Sequence, residues 1–306
     1  MRLHLRVATD AEKPTRDALT HAAWGEKLTV PHYLERERRL RAHRWAREAM
    51  ATWLLADDEG PVLASCETFR VPALLGARAA GNAHAIASVY TEPALRGRGY
   101  AGAMMALLAD AVRARDPDAT SLVLFSDVGA PLYERAGFVA RPAVDLALAP
   151  AAGDPRDGVD ALLGDADLKD PKTPTGGYVL APGAAQLDWY LERERTYAEL
   201  LGRARPVACG ARAGGGSSTW QADFKNGVLC VLTLDGNPAE LDALLLAARR
   251  VAARAGLARV VAWETPELAA VTAPRAPRDG SLPMLRPLSP EVRPEAWTWI
   301  PRALWV

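Results

Sequence analysis

The chain reads as an α/β (α+β) protein of two domains, and four observations predict this. Short strand-like and helix-like segments alternate through the first half, and residues 149–182 are dense in Pro, Gly and Asp. A second sheet-and-helix pattern follows. A length of 306 residues is about two domains' worth of chain. The expected division is 1–150 for the first domain, 151–182 for a linker and 183–306 for the second.

The elements follow in order. Leu3 to Val7 alternates with period two, as a half-buried strand does. Helices are expected from Lys13 to Trp24 and from Tyr33 to Arg47, with Pro31 suited to the first turn of the second. Met50 to Ala56 and Val62 to Arg70 read as paired strands across the turn Asp57-Asp58-Glu59-Gly60. A strand from His84 to Thr91 leads into an alanine-rich helix from Gly99 to Ala114. Ser121 to Phe125 is a short apolar strand, Pro131 to Ala136 a short helix, and Val139 to Leu148 the last strand of the first half. The linker carries one helical turn near Val159 to Leu163. Beyond it come a helix from Ala184 to Leu201 and two strands, Thr219 to Phe224 and Val228 to Leu234. The Asn226-Gly227 between them accepts positive φ and signals a hairpin. A helix from Pro238 to Ala255 ends at Gly256, a good carboxy-terminal cap. Arg259 to Trp263 is a further strand, and the tail from Trp297 is aromatic and extended.

Hydrophobic residues at 49% and charged residues at 24% exclude wholesale disorder, collagen-like repeats and a coiled-coil rod. Lys+Arg and Asp+Glu are both 37. Nucleic-acid binders need surplus cations to displace counterions, so neither nucleic acid nor an anionic membrane is the expected partner. Cys66, Cys209 and Cys230 are widely spaced, with no CxxC or His-rich cluster, so neither a disulfide framework nor a metal site is expected. The start, with Arg2 and Arg6, lacks a signal-peptide core, and no run approaches the roughly 18 apolar residues of a membrane span. A cytoplasmic setting is expected, as monomer or homodimer. Tyr33-Leu34-Glu35-Arg36-Glu37-Arg38 recurs as Tyr190-Leu191-Glu192-Arg193-Glu194-Arg195, either a trace of duplication or convergence on a common helix composition.

The most informative segment runs from Ser88 to Gly102. A strand enters a loop containing Arg96-Gly97-Arg98-Gly99, and a long helix starts at once with Tyr100-Ala101-Gly102. Glycines let the backbone turn tightly and approach a ligand closely. Amides of the loop and the helix amino terminus then converge on one spot, a natural seat for a pyrophosphate, with Arg96 and Arg98 at its rim. Neither the GxGxxG fingerprint nor the Gly-Lys-Ser/Thr of a P-loop is present.

Arg96-x-x-Gly99-x-Ala101 resembles the pyrophosphate-binding signature of the GNAT superfamily, the acetyl-CoA-dependent N-acetyltransferases. Ser121 to Phe125, followed by Tyr133-Glu134-Arg135-Ala136-Gly137-Phe138, is similar to that superfamily's Tyr-x-x-x-Gly-Phe element. Trp24-Gly25, Tyr33 to Glu37, Ala64 to Thr68, His84 to Tyr90 and Leu124 to Gly129 resemble the fungal lysine acetyltransferase family. Trp189 with Arg193-Glu194, and Val261-Ala262-Trp263, carry a weaker likeness through the second half. The resemblance implies a GNAT fold, with a mixed, mostly antiparallel central sheet flanked by helices, and a GNAT-like accessory module behind it. It also implies acetyl-CoA as co-substrate and a small-molecule amine, the side chain of free L-lysine, as acceptor. Two positions depart from that family. Tyr190 and Leu191 stand where histidines are expected after Trp189, and the tail Ile300 to Val306 replaces an Asn-Glu-Lys-Tyr type.

On this reading the amides from Gly97 to Gly102 grip the donor. Backbone groups of Val89, Tyr90 and Thr91 bind the pantetheine arm as an added strand and polarise the carbonyl. A lysine ammonium has a reference pKa near 10.4, so a base must take its proton. Glu67 and His84, on strands beside the donor strand, are the candidates. Tyr133 matches the superfamily's general acid for the leaving thiolate. Trp24 and Tyr33 are candidates for the acceptor wall, and Cys66 is read as a small core residue. The second half has Asp235-Gly236-Asn237-Pro238 before its helix, which puts a carboxylate where a phosphate would sit, so it is expected to bind no CoA and to help shape the acceptor pocket. Two other classes compete: a resistance or tailoring acyltransferase on another amine-bearing metabolite, and a CoA-binding sensor without turnover.

Overall fold

The computed structural model describes residues 2–58, 60–278 and 280–306. Glu59, within the expected turn, lies outside them. The first half holds β1 (Leu3–Val7), α1 (Lys13–Trp24), α2 (Val30–Ala42), α3 (Arg44–Ala49), β2 (Met50–Asp57), β3 (Val62–Leu75) and β4 (Arg78–Tyr90). It continues with α4 (Tyr100–Arg115), β5 (Ala119–Ser126), α5 (Pro131–Glu134), β6 (Val139–Ala140) and β7 (Val144–Leu148). The second half holds β8 (Ala161–Leu163), β9 (Tyr178–Leu180), α6 (Ala184–Leu200), β10 (Gly210–Ala213), β11 (Gly216–Asp223) and β12 (Val228–Asp235). Then come α7 (Pro238–Arg254), β13 (Arg259–Trp263), β14 (Arg275–Pro277) and β15 (Leu282–Pro287), and a short turn at Arg302–Leu304. The helix expected from Tyr33 to Arg47 is thus two. The backbone at His43 is extended, and its side chain accepts from the Trp45 amide to start α3.

The strands form two sheets. One has the order β1-β2-β3-β4-β5-β15-β6, with β9 pairing along the end of β3. The other has the order β14-β7-β13-β12-β11-β10-β8. Among the described residues only β4–β5 and β12–β13 are parallel, each bridged by a crossover helix, α4 and α7. The architecture is therefore mostly antiparallel, as expected. The segment near Val159 to Leu163, expected as a helical turn, ends in β8, which pairs with β10.

Each sheet takes a strand from the other half of the chain. The strand expected from Val139 to Leu148 breaks at Pro142, whose ring fixes φ and removes a donor. Val139–Ala140 stays in the first sheet, whereas Val144–Leu148 crosses to pair with β13. In return β15 fills the slot between β5 and β6. Its Pro283 and Pro287 argue against a central strand when only the sequence is read.

The three largest cores among the described residues follow from these layers. Met104, Met105, Leu108 and Val112 of α4 pack on one face of the first sheet against Cys66, Leu122 and Met284. Leu241, Leu244, Ala248 and Val251 of α7 pack on the second sheet around Trp220. Between the two sheets, Phe69, Val71 and Val123 meet Trp189 and Tyr190 of α6 and the tail residues Trp297, Ala303 and Leu304. Trp297 and Tyr190 are fully buried there, and aromatic burial on this scale locks the two halves together.

Candidate active site

A cavity of about 530 Å³ opens between the two halves. Trp24, Tyr33, Glu67, Val89, Asp127 and Tyr133 line it from the first half, and Trp189, Arg193, Arg302 and Trp305 from the second.

The first sheet is distorted where it meets this cavity. The pairing of β3 with β4 slips between Ser65 and Glu67, opposite Ser88, whose φ is +52°. The parallel pairing of β4 with β5 ends at Ile86 and Leu124, although the strands run on to Tyr90 and Ser126. The two strands therefore part, and the backbone from Val89 onward borders the gap. The Nη2 of Arg16 reaches across from α1 and donates to the Ser88 carbonyl at 3.0 Å.

The loop beyond β4 fits the phosphate seat read from the sequence. Gly97 and Gly99 have φ of +77° and +81°, in the left-handed region that side chains resist. A Cβ built on either would meet nothing within 4 Å, so the space above the loop is open. Gly99 begins α4 with no side-chain cap. The amino terminus of a 16-residue helix, with its partial positive charge, thus faces that space. Arg96 and Arg98 are exposed, and their guanidinium groups donate to the Thr91 and Ala94 carbonyls at 3.0 and 3.4 Å, which holds the loop's shape. Positive-φ glycines, an open cradle and an uncapped helix end together suit the pyrophosphate of a CoA thioester.

Beside the gap lies a buried charge network that the sequence did not reveal. Asp17 of α1, Glu37 of α2 and Glu67 of β3 bring carboxylate oxygens within 4.8 Å of one another. Arg16, Arg36 and Arg41 match them one for one. Arg16 donates to Glu67 Oε1 at 2.8 Å and stands 3.6 Å from Asp17, while Arg41 grips Asp17 and Arg36 grips Glu37. Removing one partner of such a buried pair costs about 3–5 kcal/mol, because the other charge is left uncompensated. The carboxylates differ in basicity. Burial pushes Glu67 above the ordinary carboxylate range, against the opposing pull of Arg16. Glu37 is also buried, but Arg36, Arg41 and Arg16 outweigh that and hold it below the range. Glu67 is thus the better proton acceptor of the two, and its Oε2 takes no hydrogen bond from the described residues.

Tyr133, on α5 at the other side of the gap, is buried and lines the cavity. Burial, and the nearby Cys66 and Asp127, push its hydroxyl up to about 12, so it keeps its proton at neutral pH. Asp127 is fixed by the amide and hydroxyl of Ser281, at 2.7 and 3.2 Å. Trp24 stands edge-on to Tyr90 at 5.8 Å. Tyr33 is buried, its hydroxyl 3.0 Å from Thr20 Oγ1 and its ring 4.3 Å beneath the Arg36 guanidinium.

His84 does not join them. It shares the parity of Ile86 and so faces the α4 side of the sheet, where Nε2 lies 2.9 Å from Asp116 Oδ2 at the end of that helix. Burial holds its pKa below the ordinary histidine value despite that carboxylate. A strand alternates its faces, and in the unbroken register from Glu67–Ala87 to Arg70–His84 the histidine lies three residues from Glu67's partner, so it faces the other way. Cys66 points to the same α4 side, and burial pushes its thiol up, away from nucleophilic use.

Residues 16–138 match the acetyltransferase (GNAT) family, and residues 160–295 match the LYC1 GNAT-like C-terminal domain. The chain belongs to the GNAT acetyltransferases. The second match includes β15, which this GNAT chain returns to the first sheet. The chain is 30% identical over 161 residues to a lysine acetyltransferase of Yarrowia lipolytica. That match covers 45% of this chain and 41% of the relative, so it spans less than half of either. Two solved structures share the fold across 94% of this GNAT chain and 72% of their own lengths. A GCN5-related N-acetyltransferase from Kribbella flavida is 19% identical with a TM-score of 0.53, and a probable N-acyltransferase from Enterococcus faecalis V583 is 13% identical with a TM-score of 0.56. Among the described residues no helix is long and apolar enough to cross a membrane.

Proposed function

We propose that this GNAT protein transfers the acetyl group of acetyl-CoA directly to the amine of a small molecule, free L-lysine or a related amino acid. The observation that carries the reading is the open, glycine-lined end of α4 beside a gap between β4 and β5 that leads into a cavity holding Glu67 and Tyr133. When bound, acetyl-CoA supplies an activated acetyl thioester. The amides of Gly97 to Gly102 hold its pyrophosphate, and backbone groups from Val89 to Thr91 align its arm along β4. Glu67, directly or through one water, takes the proton that an ammonium must lose before it can attack. Its raised pKa makes it a stronger base than an exposed carboxylate. Tyr133 holds its proton for the departing thiolate. Trp24 and Tyr33 wall the acceptor from the first half. The second module contributes Trp189, Arg193 and Trp305 to the same cavity and binds no CoA of its own. Lysine as acceptor draws on the name of the Yarrowia lipolytica relative and on the family likeness of the first half.

A thiol-release assay with acetyl-CoA against a panel of amines, L-lysine included, tests the reading. Release that requires an amine, with acetylated product identified by mass, is expected. CoA binding without release for any amine would mean a sensor.

A further inference from the structure

We infer that Arg193 and Arg302 form a carboxylate subsite, which restricts the acceptor to amines that also carry an acid group. The inference rests on the acetyl-transfer reading above and narrows its substrate class to an amino acid with a side-chain amine.

Four arginines line the cavity: Arg36, Arg41, Arg193 and Arg302. Arg36 is paired with Glu37, and Arg41 with Asp17. Arg193 and Arg302 make no ion pair and no side-chain hydrogen bond with any described residue. Their guanidinium groups instead face the ring of Trp305, at 5.1 and 4.2 Å from its centroid, and Arg302 also faces Trp263 at 4.8 Å. The Nε of Arg302 is buried with no hydrogen-bond partner. Two like charges held at one aromatic ring, with a buried donor left over, want an anion between them. Arginine's planar fork suits a carboxylate in particular.

The chain's internal echo makes the difference specific. Tyr33-Leu34-Glu35-Arg36-Glu37 on α2 recurs as Tyr190-Leu191-Glu192-Arg193-Glu194 on α6. In α2 the glutamate after the arginine neutralises it. In α6 the corresponding Glu194 turns away, accepting from the Ala222 amide and from Arg205 Nε, the latter at 3.0 Å. Arg193 therefore keeps its charge for the cavity. The tail that carries Arg302 is fixed as well. The Tyr190 hydroxyl donates to the carbonyls of Ala303 and Trp305, and Gln186 Nε2 donates to Ala303 O at 2.6 Å. One cavity thus offers a basic carboxylate, Glu67, from the first sheet and two free cations from the second half, the pattern a zwitterionic acceptor fits.

The test compares thiol release with L-lysine and with 1,5-diaminopentane, which has the same side-chain amine and no carboxylate. A carboxylate held by charge-assisted hydrogen bonds predicts a kcat/KM for lysine about tenfold to a hundredfold above the diamine. In Arg302→Gln and Arg193→Gln the lysine KM rises and this ratio falls toward one, while Arg302→Lys keeps part of it. The KM for acetyl-CoA, measured in parallel, stays at its original value. Equal turnover of the two amines by the unaltered protein would overturn the subsite, even if both variants failed to fold. A preference that survives both substitutions would overturn it too. Thiol release with neither amine nor any other would instead overturn the acetyl-transfer reading itself.

Discussion

Among the described residues there are two β-α-β crossovers of the same kind, one with an uncapped helix end and one with a capped end. In the first, β4-α4-β5, the helix starts on the left-handed Gly99 with no side-chain cap, and the strands part beyond Ile86 and Leu124. In the second, β12-α7-β13, the strand pairing also stops early, at Cys230 and Val261. There the chain closes both openings itself. Asn237 Oδ1 accepts from the amides of Ala239 and Glu240, and Glu240 accepts from those of Asn237 and Gly215. Leu232 of β12 is covered by Ala303 and Leu304 of the tail within one core. The same topology therefore gives an open or a closed helix end, depending on whether side chains satisfy its amides.

The largest way to break this contrast is to fill the open end. Gly99→Val forces a β-branched residue to φ of +81° and projects it into the cradle. Acetyl-CoA affinity, measured by calorimetry, is expected to fall by about a hundredfold or more, roughly the effect of 2.7 kcal/mol or more. Undiminished binding would mean that the pyrophosphate does not sit over this loop.

The next two substitutions act where the open crossover meets the cavity. Glu67→Gln removes the proposed base and is expected to lower kcat/KM by about a hundredfold at neutral pH. It also weakens the partner of Arg16, so thermal melting must be followed in parallel. On the proposed mechanism the active form of Glu67 is the carboxylate. Its contribution therefore rises with pH through a value above the ordinary carboxylate pKa, and that acidic limb of the kcat/KM profile should vanish in the variant. An unchanged limb would exclude Glu67 as its source. Tyr133→Phe keeps the packing against Phe138 and loses the proton, so kcat should fall by about tenfold to a hundredfold with little change in acetyl-CoA affinity. Because burial raises Tyr133 to about 12, its own ionisation should add no alkaline limb at lower pH. Full turnover of the phenylalanine variant would remove the role.

Much of the open crossover was legible because its signals are local. Arg96-Gly97-Arg98-Gly99 lies in one loop, and the glycines need only their own φ to be read. The helix from Lys13 to Trp24 and the hairpin at Asn226-Gly227 were equally local, and Gly227 has the expected positive φ, +67°. What escaped depends on distant partners. Arg16 meets Glu67 across 51 positions, and Arg302 shares a ring with Arg193 only because the tail folds back onto α6. The exchange of β7 and β15 between the sheets was hidden for the same reason, since the prolines of β15 speak against a strand that only its neighbours β5 and β6 complete. His84 and Glu67 sit on opposite faces because Glu67 stands opposite Ala87, three residues from His84, and that register depends on how β3 and β4 align rather than on either residue's type.

The smallest expected effect tests the closed end. Asn237→Ala deletes the acceptor that serves Ala239 and Glu240 and leaves Glu240 to cap its half of the box alone. Loss of such a cap costs about 1 kcal/mol, which for a chain of this size lowers the melting temperature by roughly 2–4 °C. The freed amides should not acquire affinity for CoA. The backbone before α7 lacks the pair of open, left-handed glycines, and a Cβ on Gly236 would press against Glu240 at 3.0 Å. Lys172 also holds Asp235 beside the helix start, at 3.2 Å, and keeps a carboxylate near the place where phosphate would go. A variant that melted a little lower and bound one CoA per chain as before would support capping as the difference between the two helix ends. A second bound CoA would show that the side-chain cap alone, and not the loop, had kept the second crossover closed.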